Sequence, residues 1–546
     1  MPGGEKGALS AGGADPRGEK LDIRAAGVVG LAVLCSRVLG LARDQIFAAL
    51  FGAGLIMDAF NMAFRIPNLL RDLFAEGALS TAFVTTFSRT VAAGGEEAAW
   101  RLANKVATLT AVALSAITLL GIAFAPWLVE VLAPGFPAEK AALTITLTRV
   151  MYPFILLVSL AALVMGMLNA RNVFGVPAMA SSFFNLGSIV GGVLLGYWLD
   201  PEFGRRAILG LAVGTLIGGT LQLGVQLPAL RRLGHRFRAD FHWRDPGVRS
   251  ILRLMGPSVI AASTTQVNVL INSVFASHLG NGPISWLTVA FRLMQLPLGI
   301  FGVALGTVTL PLLARMAATG QHGVFRSELA RGMRLAFLMT IPASIGLIVL
   351  AEPIISVLYQ HGRFGVFDTV ESAGALRFYA LGLCGYAALK VLVNAFYAID
   401  RRKTPMIVSI VAVAVNLGLN WIFTVHLGWG HRGLALSTAC VATSNFVILY
   451  LLMRSHLGRL ESRAMAALLA RVALASVVLC AIAWGGGRLL LADWATQHFL
   501  PKLASLTLVI ACAAAAFFLS AAALGIGEVQ ELKDAVARRL RRARNP

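Results

Sequence analysis

Residues 154–168 read FILLVSLAALVMGML, a run without a charge or a proline. An α-helix rises about 1.5 Å per residue, so about 20 such residues cross the roughly 30 Å of a bilayer's hydrocarbon. Comparable runs recur on either side. About fourteen candidate spans can be placed, centred near residues 37, 72, 117, 158, 188, 217, 266, 300, 343, 386, 415, 443, 478 and 512. The composition agrees: 57% of the 546 residues are hydrophobic and 13% are charged. A soluble domain carries about 25% charged residues. Too few charges are present to clothe a water-exposed surface, so the expected fold is an all-α polytopic membrane protein.

The formal net charge of +21 does not read as a nucleic-acid surface, because the basic residues sit in short stretches between apolar runs. With the N-terminus inside, the cytoplasmic connections hold Arg89, Arg101 and Lys105, then Arg171, then Arg231, Arg232, Arg236, Arg238, Arg244 and Arg249. Arg315, Arg326, Arg331 and Arg334 follow, then Arg401, Arg402 and Lys403, then Arg454, Arg459 and Arg463. The opposite loops are poor in Lys and Arg and hold Asp200, Glu202, Asp368 and Asp493. The bias keeps one sign throughout and places both termini in the cytoplasm. Cys35, Cys384, Cys440, Cys480 and Cys512 all lie in apolar runs without a C-x-x-C pair, which is the pattern of small buried side chains.

An internal repeat is visible. Phe47-Ala48 recurs 228 residues later as Phe275-Ala276, and Gly52 and Gly280, Arg149 and Arg377, Ala170 and Ala398, and Pro177 and Pro405 share that offset. Asn-Leu-Gly at 185 recurs at 416, and Ala63-Phe64-Arg65 at 290–292. The offset spans an even number of helices, so the repeats are parallel. The predicted organisation is a disordered cytoplasmic tail (1–20), a six-helix bundle (21–231), a basic cytoplasmic linker (232–246) and a second six-helix bundle (247–456). Two further helices (465–525) and a basic cytoplasmic tail (526–546) complete it.

Several spans carry charge where hydrocarbon would reject it. The first has Ser36, Arg37, Arg43 and Asp44; the second has Asp58, Arg65, Asn68, Asp72 and Glu76 on one helical face, interrupted by Pro67. Arg71 lies off that face. The seventh has Gln266, Asn268 and Asn272, and the eighth has Arg292 and Gln295. By the repeat, Arg292 is the counterpart of Arg65, so the two should meet at the interface between the bundles. An ionisable group at mid-membrane costs at least about 2.5–3.5 kcal/mol and marks a cavity. The intramembrane cations Arg37, Arg43, Arg65, Arg71, Arg292 and Lys390 outnumber the acids Asp44, Asp58, Asp72 and Glu76. Surplus guanidinium suits a phosphate or diphosphate, whose oxygens it grips two at a time. The sequence has no Walker A loop, H-E-x-x-H, G-x-S-x-G or Cys/His cluster, so no enzymatic chemistry, cofactor or metal is expected.

The stretch Ser36-Arg-Val-Leu-Gly-Leu-Ala-Arg-Asp44 resembles the N-terminal signature of the MurJ/MviN lipid II flippases. So do Asp58-Ala-Phe, Pro67-Asn-Leu-Leu-Arg71, Phe74-Ala-Glu-Gly-Ala-Leu-Ser80 and the run from Arg292 to Thr307. The resemblance implies a fourteen-helix transporter of the MOP superfamily. It would carry lipid II across the inner membrane for peptidoglycan synthesis and cell-wall biogenesis. It further implies that Arg37, Arg43, Arg71 and Arg292 bind the diphosphate and that Asp58, Asn68 and Glu76 serve the site or its gate. The last two helices would form a groove for the lipid tail. Ser36, Asp44, Arg65, Gln266 and Asn272 join the site as cavity or gate residues on the reading of the spans. Many relatives have Asp just before the eighth-helix arginine; here Phe291 stands there, which puts any role of that acid in doubt.

The expected mechanism is alternating access about a cationic cavity, driven by membrane potential or a coupling ion, with surrounding lipids as further partners. A cation or drug antiporter like the MATE proteins, a flippase for another polyprenyl-diphosphate glycan and a non-transporting scaffold are the alternatives.

Overall fold

A computed structural model describes residues 23–73, 79–458 and 460–530. Twenty α-helices run in the order α1 Ile23–Phe51, α2 Leu55–Leu73, α3 Ser80–Ala123, α4 Ala125–Leu132, α5 Ala138–Met151, α6 Phe154–Ala170, α7 Gly175–Leu199, α8 Ala207–Gly224, α9 Leu227–Arg232, α10 Pro246–Ser277. They continue as α11 Pro283–Pro297, α12 Val303–Ala318, α13 His322–Val349, α14 Ala351–Tyr359, α15 Val366–Leu381, α16 Leu383–Ala398, α17 Lys403–Asn420, α18 Gly430–Leu457, α19 Ser462–Leu490, α20 Phe499–Ala523. No strand occurs among the described residues. Ten helices are long and apolar enough to cross a membrane, and eleven if the bent pair α15–α16 counts as one span. The expected fourteen exceeds this by the three long helices that carry the polar residues: α1, α2 and α10.

The protein is an all-α polytopic membrane protein of two six-helix bundles plus α19 and α20. In the first bundle α7 and α8 lie in close contact because small residues face each other. A Cβ added at Gly210, Gly214 or Gly218 would overlap the backbone of Gly196, Gly192 or Phe184. Without a hydrophobic force between helices in lipid, such close backbone approach supplies the attraction. The second bundle has the larger apolar core, from Leu293 and Met294 on α11 to Leu392 and Phe396 on α16. Helices α19 and α20 pack on one another and on α13 and α14 through Leu338, Val472, Leu506, Val509 and Phe517.

The repeat seen in sequence has a geometric counterpart. Gly52 and Gly280 both adopt left-handed φ, 68° and 87°, each in the turn that leads out of a long polar helix. That conformation suits a residue without Cβ. Arg149 Nε donates to the Ile122 carbonyl at 3.3 Å, and Arg377 Nε donates to the Ile348 carbonyl at 3.4 Å. Asn185 Nδ2 reaches from α7 to the Ser36 carbonyl on α1 at 3.1 Å; Asn416 Nδ2 reaches from α17 to Asn272 Oδ1 on α10 at 3.0 Å.

Candidate functional site

Helices α1, α2, α10 and α11 meet between the bundles and bring their polar residues around two adjoining cavities. One, of about 390 Å³, lies towards the second bundle and is lined by Asn268, Asn272, Tyr379, Tyr386, Asn416 and Thr438 among others. The other, of about 440 Å³, lies towards the first and is lined by Arg43, Asp44, Asn61, Asn68, Asp72, Gln266 and Tyr359 among others. Arg65, Val269, Thr288, Phe291, Arg292 and Gln295 border both. The two spaces are therefore lobes of one region, and the repeat-related arginines, Arg65 and Arg292, stand together on the wall between them.

The charges at this wall are unequal. Asp44 accepts from Arg43 Nη2 at 3.1 Å and also pairs with Arg292 from α11. The Arg43 guanidinium lies over the Phe184 ring, 5.3 Å from its centroid. Arg65 Nη1 donates to Ser273 Oγ at 2.5 Å, so it has a neutral partner. Asp72 pairs with Arg71 at 2.9 Å and accepts from Gln266 Nε2 at 3.3 Å. Arg43, Arg65 and Arg292 thus face a single dedicated carboxylate, Asp44. Fixed guanidinium groups in a space partly shielded from water attract an anion with several oxygens and repel a cation.

The first turn of α2 is built differently. Asp58 is fully buried, and so is its partner Lys140 on α5, with Nζ 2.9 Å from Oδ2. Asp58 also accepts from the Gly282 amide at 2.7 Å, the Ser285 amide at 2.9 Å and Ser285 Oγ at 2.7 Å. Lys140 Nζ donates as well to the Gly280 carbonyl at 3.0 Å and lies 4.3 Å from the Phe136 ring centroid. Asn61 Nδ2 donates to Ser285 Oγ at 3.1 Å, and the Gly135 amide to Ser277 Oγ at 3.1 Å. Nearby, the Arg363 amide donates to the Ala49 carbonyl at 2.8 Å, and Arg363 Nη1 to the Phe203 carbonyl at 2.7 Å. These bonds join the two bundles at one end of the molecule. The buried ion pair persists because additional donors satisfy the carboxylate.

The residues singled out in sequence fall into three groups. Arg43, Asp44, Arg65, Asn68, Gln266 and Arg292 line the lobes, and so does Asn272. Asn272 is already engaged: Oδ1 accepts from Asn416 at 3.0 Å and Asn420 at 2.7 Å, and Nδ2 donates to Thr438 Oγ1 at 3.1 Å. Asp58 is the buried tie just described. Ser36, Arg37 and Arg71 border neither lobe. Arg37 is exposed, and its guanidinium lies against Gly299 in the π-helical turn Leu298–Gly302 after α11. Asp44 takes Arg43 and Arg292 as partners, with Arg37 a turn or more away. Glu76 lies outside the described residues. Sequence reading missed Lys140, Ser285, Asn61 and Tyr359. Lys140 opens a helix with Glu139 beside it, so it reads as a loop charge; only its partner across the bundle reveals it. Among the described residues no group of three His, Cys, Asp or Glu side chains could hold a metal ion.

A family model described as lipid II flippase MurJ matches residues 47–505. A lipid II flippase MurJ from Burkholderia cenocepacia is 37% identical over 432 residues, 78% of this chain and 82% of that protein. A probable lipid II flippase MurJ from Buchnera aphidicola (Acyrthosiphon pisum) is 36% identical over 423 residues, 77% and 81% of the two chains. Among solved structures, lipid II flippase MurJ in an inward closed conformation aligns with a TM-score of 0.73 at 26% identity. That alignment covers 90% of this chain and 98% of the other. An inward-facing multidrug resistance MATE transporter of the MOP superfamily aligns with a TM-score of 0.67, covering 80% and 99%; at 17% identity it shares the fold alone.

Proposed function

The chain belongs to the lipid II flippase MurJ family, and on that premise we propose that it moves lipid II from the cytoplasmic to the periplasmic face of a bacterial inner membrane. It is a transporter and not an enzyme. The observation that carries the reading is the surplus of guanidinium at the lobes: Arg65 and Arg292 on the wall between them and Arg43 beside it, against Asp44, with Asp72 already paired to Arg71. A diphosphate fits this imbalance, because each guanidinium can offer two parallel N–H donors to its oxygens. The MATE-like alternative is not favoured: an organic cation would meet three positive charges.

We assign the bundles 21–231 and 247–456 to two bodies that rock about the lobes. Both termini are taken as cytoplasmic, from the placement of basic loops. The Asp58 end then faces the periplasm, where the hydrogen bonds between bundles hold the outer side shut. Arg37, beside Gly299 at the protein surface, is assigned to first contact with the headgroup. Arg43 and Arg292 receive the diphosphate, with Arg65 and Asn68 beside them. Arg71, held to Asp72, and Glu76 are assigned to the inner side of the site. The polyprenyl tail remains in lipid, along α19 and α20. Binding the anion competes with Asp44 for Arg292, and loss of that cross-bundle pair loosens the interface. An inside-negative potential favours outward movement of each negative charge by about 2.3 kcal/mol per 100 mV.

The test is equilibrium binding of the purified chain to lipid II, undecaprenyl phosphate and an organic cation, with Arg43→Ala and Arg292→Ala alongside. A lost charge-assisted contact is worth about 1.5–3 kcal/mol, or about 10- to 100-fold in affinity. Preferential lipid II binding that falls by this factor in both variants is the expected result. Cation binding indifferent to the arginines would overturn the proposal.

A further inference from the structure

A second space, remote from the arginine wall, opens on the flank of the first bundle. It has a volume of about 980 Å³, more than twice that of either lobe. Its walls are apolar: Ala107 and Ala111 from α3, Leu163 and Met167 from α6, and Leu227 and Leu230 from α9. One end alone is polar, where Arg231 at the end of α9 and His235 and Arg236 of the basic linker close it. His235 is held inward, its Nε2 2.9 Å from Asn104 Oδ1 and its ring 5.0 Å from that of Trp100.

The two arginines are exposed and have no acidic partner among the described residues. The acids of the linker are engaged elsewhere. Asp240 binds His242 Nδ1 at 2.6 Å, and Asp245 binds Lys105 Nζ at 2.6 Å while capping α10 through the Gly247 amide at 2.8 Å. Phe237, 59% exposed, lies at the same rim, and an exposed aromatic side chain beside basic residues suits a headgroup layer. An apolar slot that ends in two uncompensated guanidinium groups is complementary to a molecule with an acyl chain and an anionic phosphate at its end.

We propose that this groove binds one anionic phospholipid of the surrounding leaflet, its acyl chain along α3 and α6 and its phosphate between Arg231 and Arg236. The site is separate from the lobes and does not depend on the identity of the transported substrate. Its occupant joins the linker to α3 and α6, and so fixes the flank of the first bundle against which α10 begins.

The experiment is native mass spectrometry of the full chain titrated with phosphatidylglycerol or phosphatidylcholine of identical acyl chains. The wild type should retain one phosphatidylglycerol about tenfold more tightly than phosphatidylcholine. Arg231→Gln with Arg236→Gln should bring the two lipids to near equality, and Ala111→Phe, which fills the slot, should weaken both. Arg232→Gln with Arg244→Gln removes the same charge from the same linker outside the groove and should leave the preference in place. Equal loss in that control, or unchanged retention when the slot is filled, would reduce the effect to diffuse surface charge and overturn the site. Displacement of the bound phosphatidylglycerol by equimolar lipid II would overturn it in favour of a substrate-holding groove.

Discussion

Two turns of α2 separate Asp58 from Arg65, yet the two residues live under opposite conditions. Around Asp58 every donor meets an acceptor, and the carboxylate and ammonium are both sealed from solvent. Around Arg65 the cations exceed the acids, and the walls stand apart. The first arrangement is finished and can only be broken. The second is unfinished and is completed by something that enters. A polar residue inside a membrane protein therefore carries two possible messages, and its partners distinguish them.

The sharpest way to break this contrast is at Lys140. Lys140→Met should lower stability by about 3–5 kcal/mol, because Asp58 is left as an uncompensated buried charge. Adding Asp58→Asn should recover part of that loss. Thermal unfolding in detergent measures both; a Lys140→Met protein as stable as the wild type would mean that the Asp58 tie is not structural.

A smaller effect is expected at the opposite end of the bundle interface, where Lys105 and Asp245 form a half-exposed pair. Asp245→Ala removes both the pair and the cap of α10, with an expected cost of about 0.5–2 kcal/mol. Burial opposes ionisation of Asp245, but the Lys105 ammonium and the Gly247 and Val248 amides outweigh it and hold its carboxyl below the ordinary value of 3.8. The folded state therefore prefers the charged form. Its contribution should be complete above pH 3.8 and drain away as pH falls through the lower folded value. The difference in unfolding temperature between wild type and Asp245→Ala should narrow over that range alone; a difference constant with pH would remove the ion pair from the account.

The smallest change in stability should come from the arginine wall. Arg292→Gln is expected to shift unfolding by less than about 1 kcal/mol, since its pair with Asp44 is partly solvated and Asp44 keeps Arg43. A cost as large as that of Lys140→Met would erase the distinction between the two regions.

Much of the architecture was legible in the sequence because lipid imposes simple demands. Apolar run length marked most of the helices, and the 228-residue offset anticipated the matched turns at Gly52 and Gly280. The meeting of Arg65 and Arg292 followed from the same repeat. Other features were hidden because they depend on which residue lies opposite. Nothing in the α5 sequence says that Lys140 is buried. Asn272 reads as one polar residue among several, and only Asn416, Asn420 and Thr438 on distant helices show that its amide is already committed. Arg37 reads as a cavity residue by its depth along α1, but its direction takes it to Gly299 at the surface.

The Asp58 tie joins the two bundles by a mixture of contacts. It combines hydrogen bonds to main-chain amides, a hydroxyl and an ammonium with apolar contacts among Met62, Phe136, Ala276 and Ile284, and its polar share sets it apart from the core of the second bundle. Water can replace such bonds almost one for one, since a hydrogen bond within the protein exceeds its aqueous equivalent by only about 0.5–1.5 kcal/mol. This end of the interface can therefore be firmly shut and still part readily once solvent reaches Asp58. Opening is then an uptake of water, so the balance between shut and open forms responds to the activity of water itself, and osmolytes excluded from the crevice hold the transporter in its shut form.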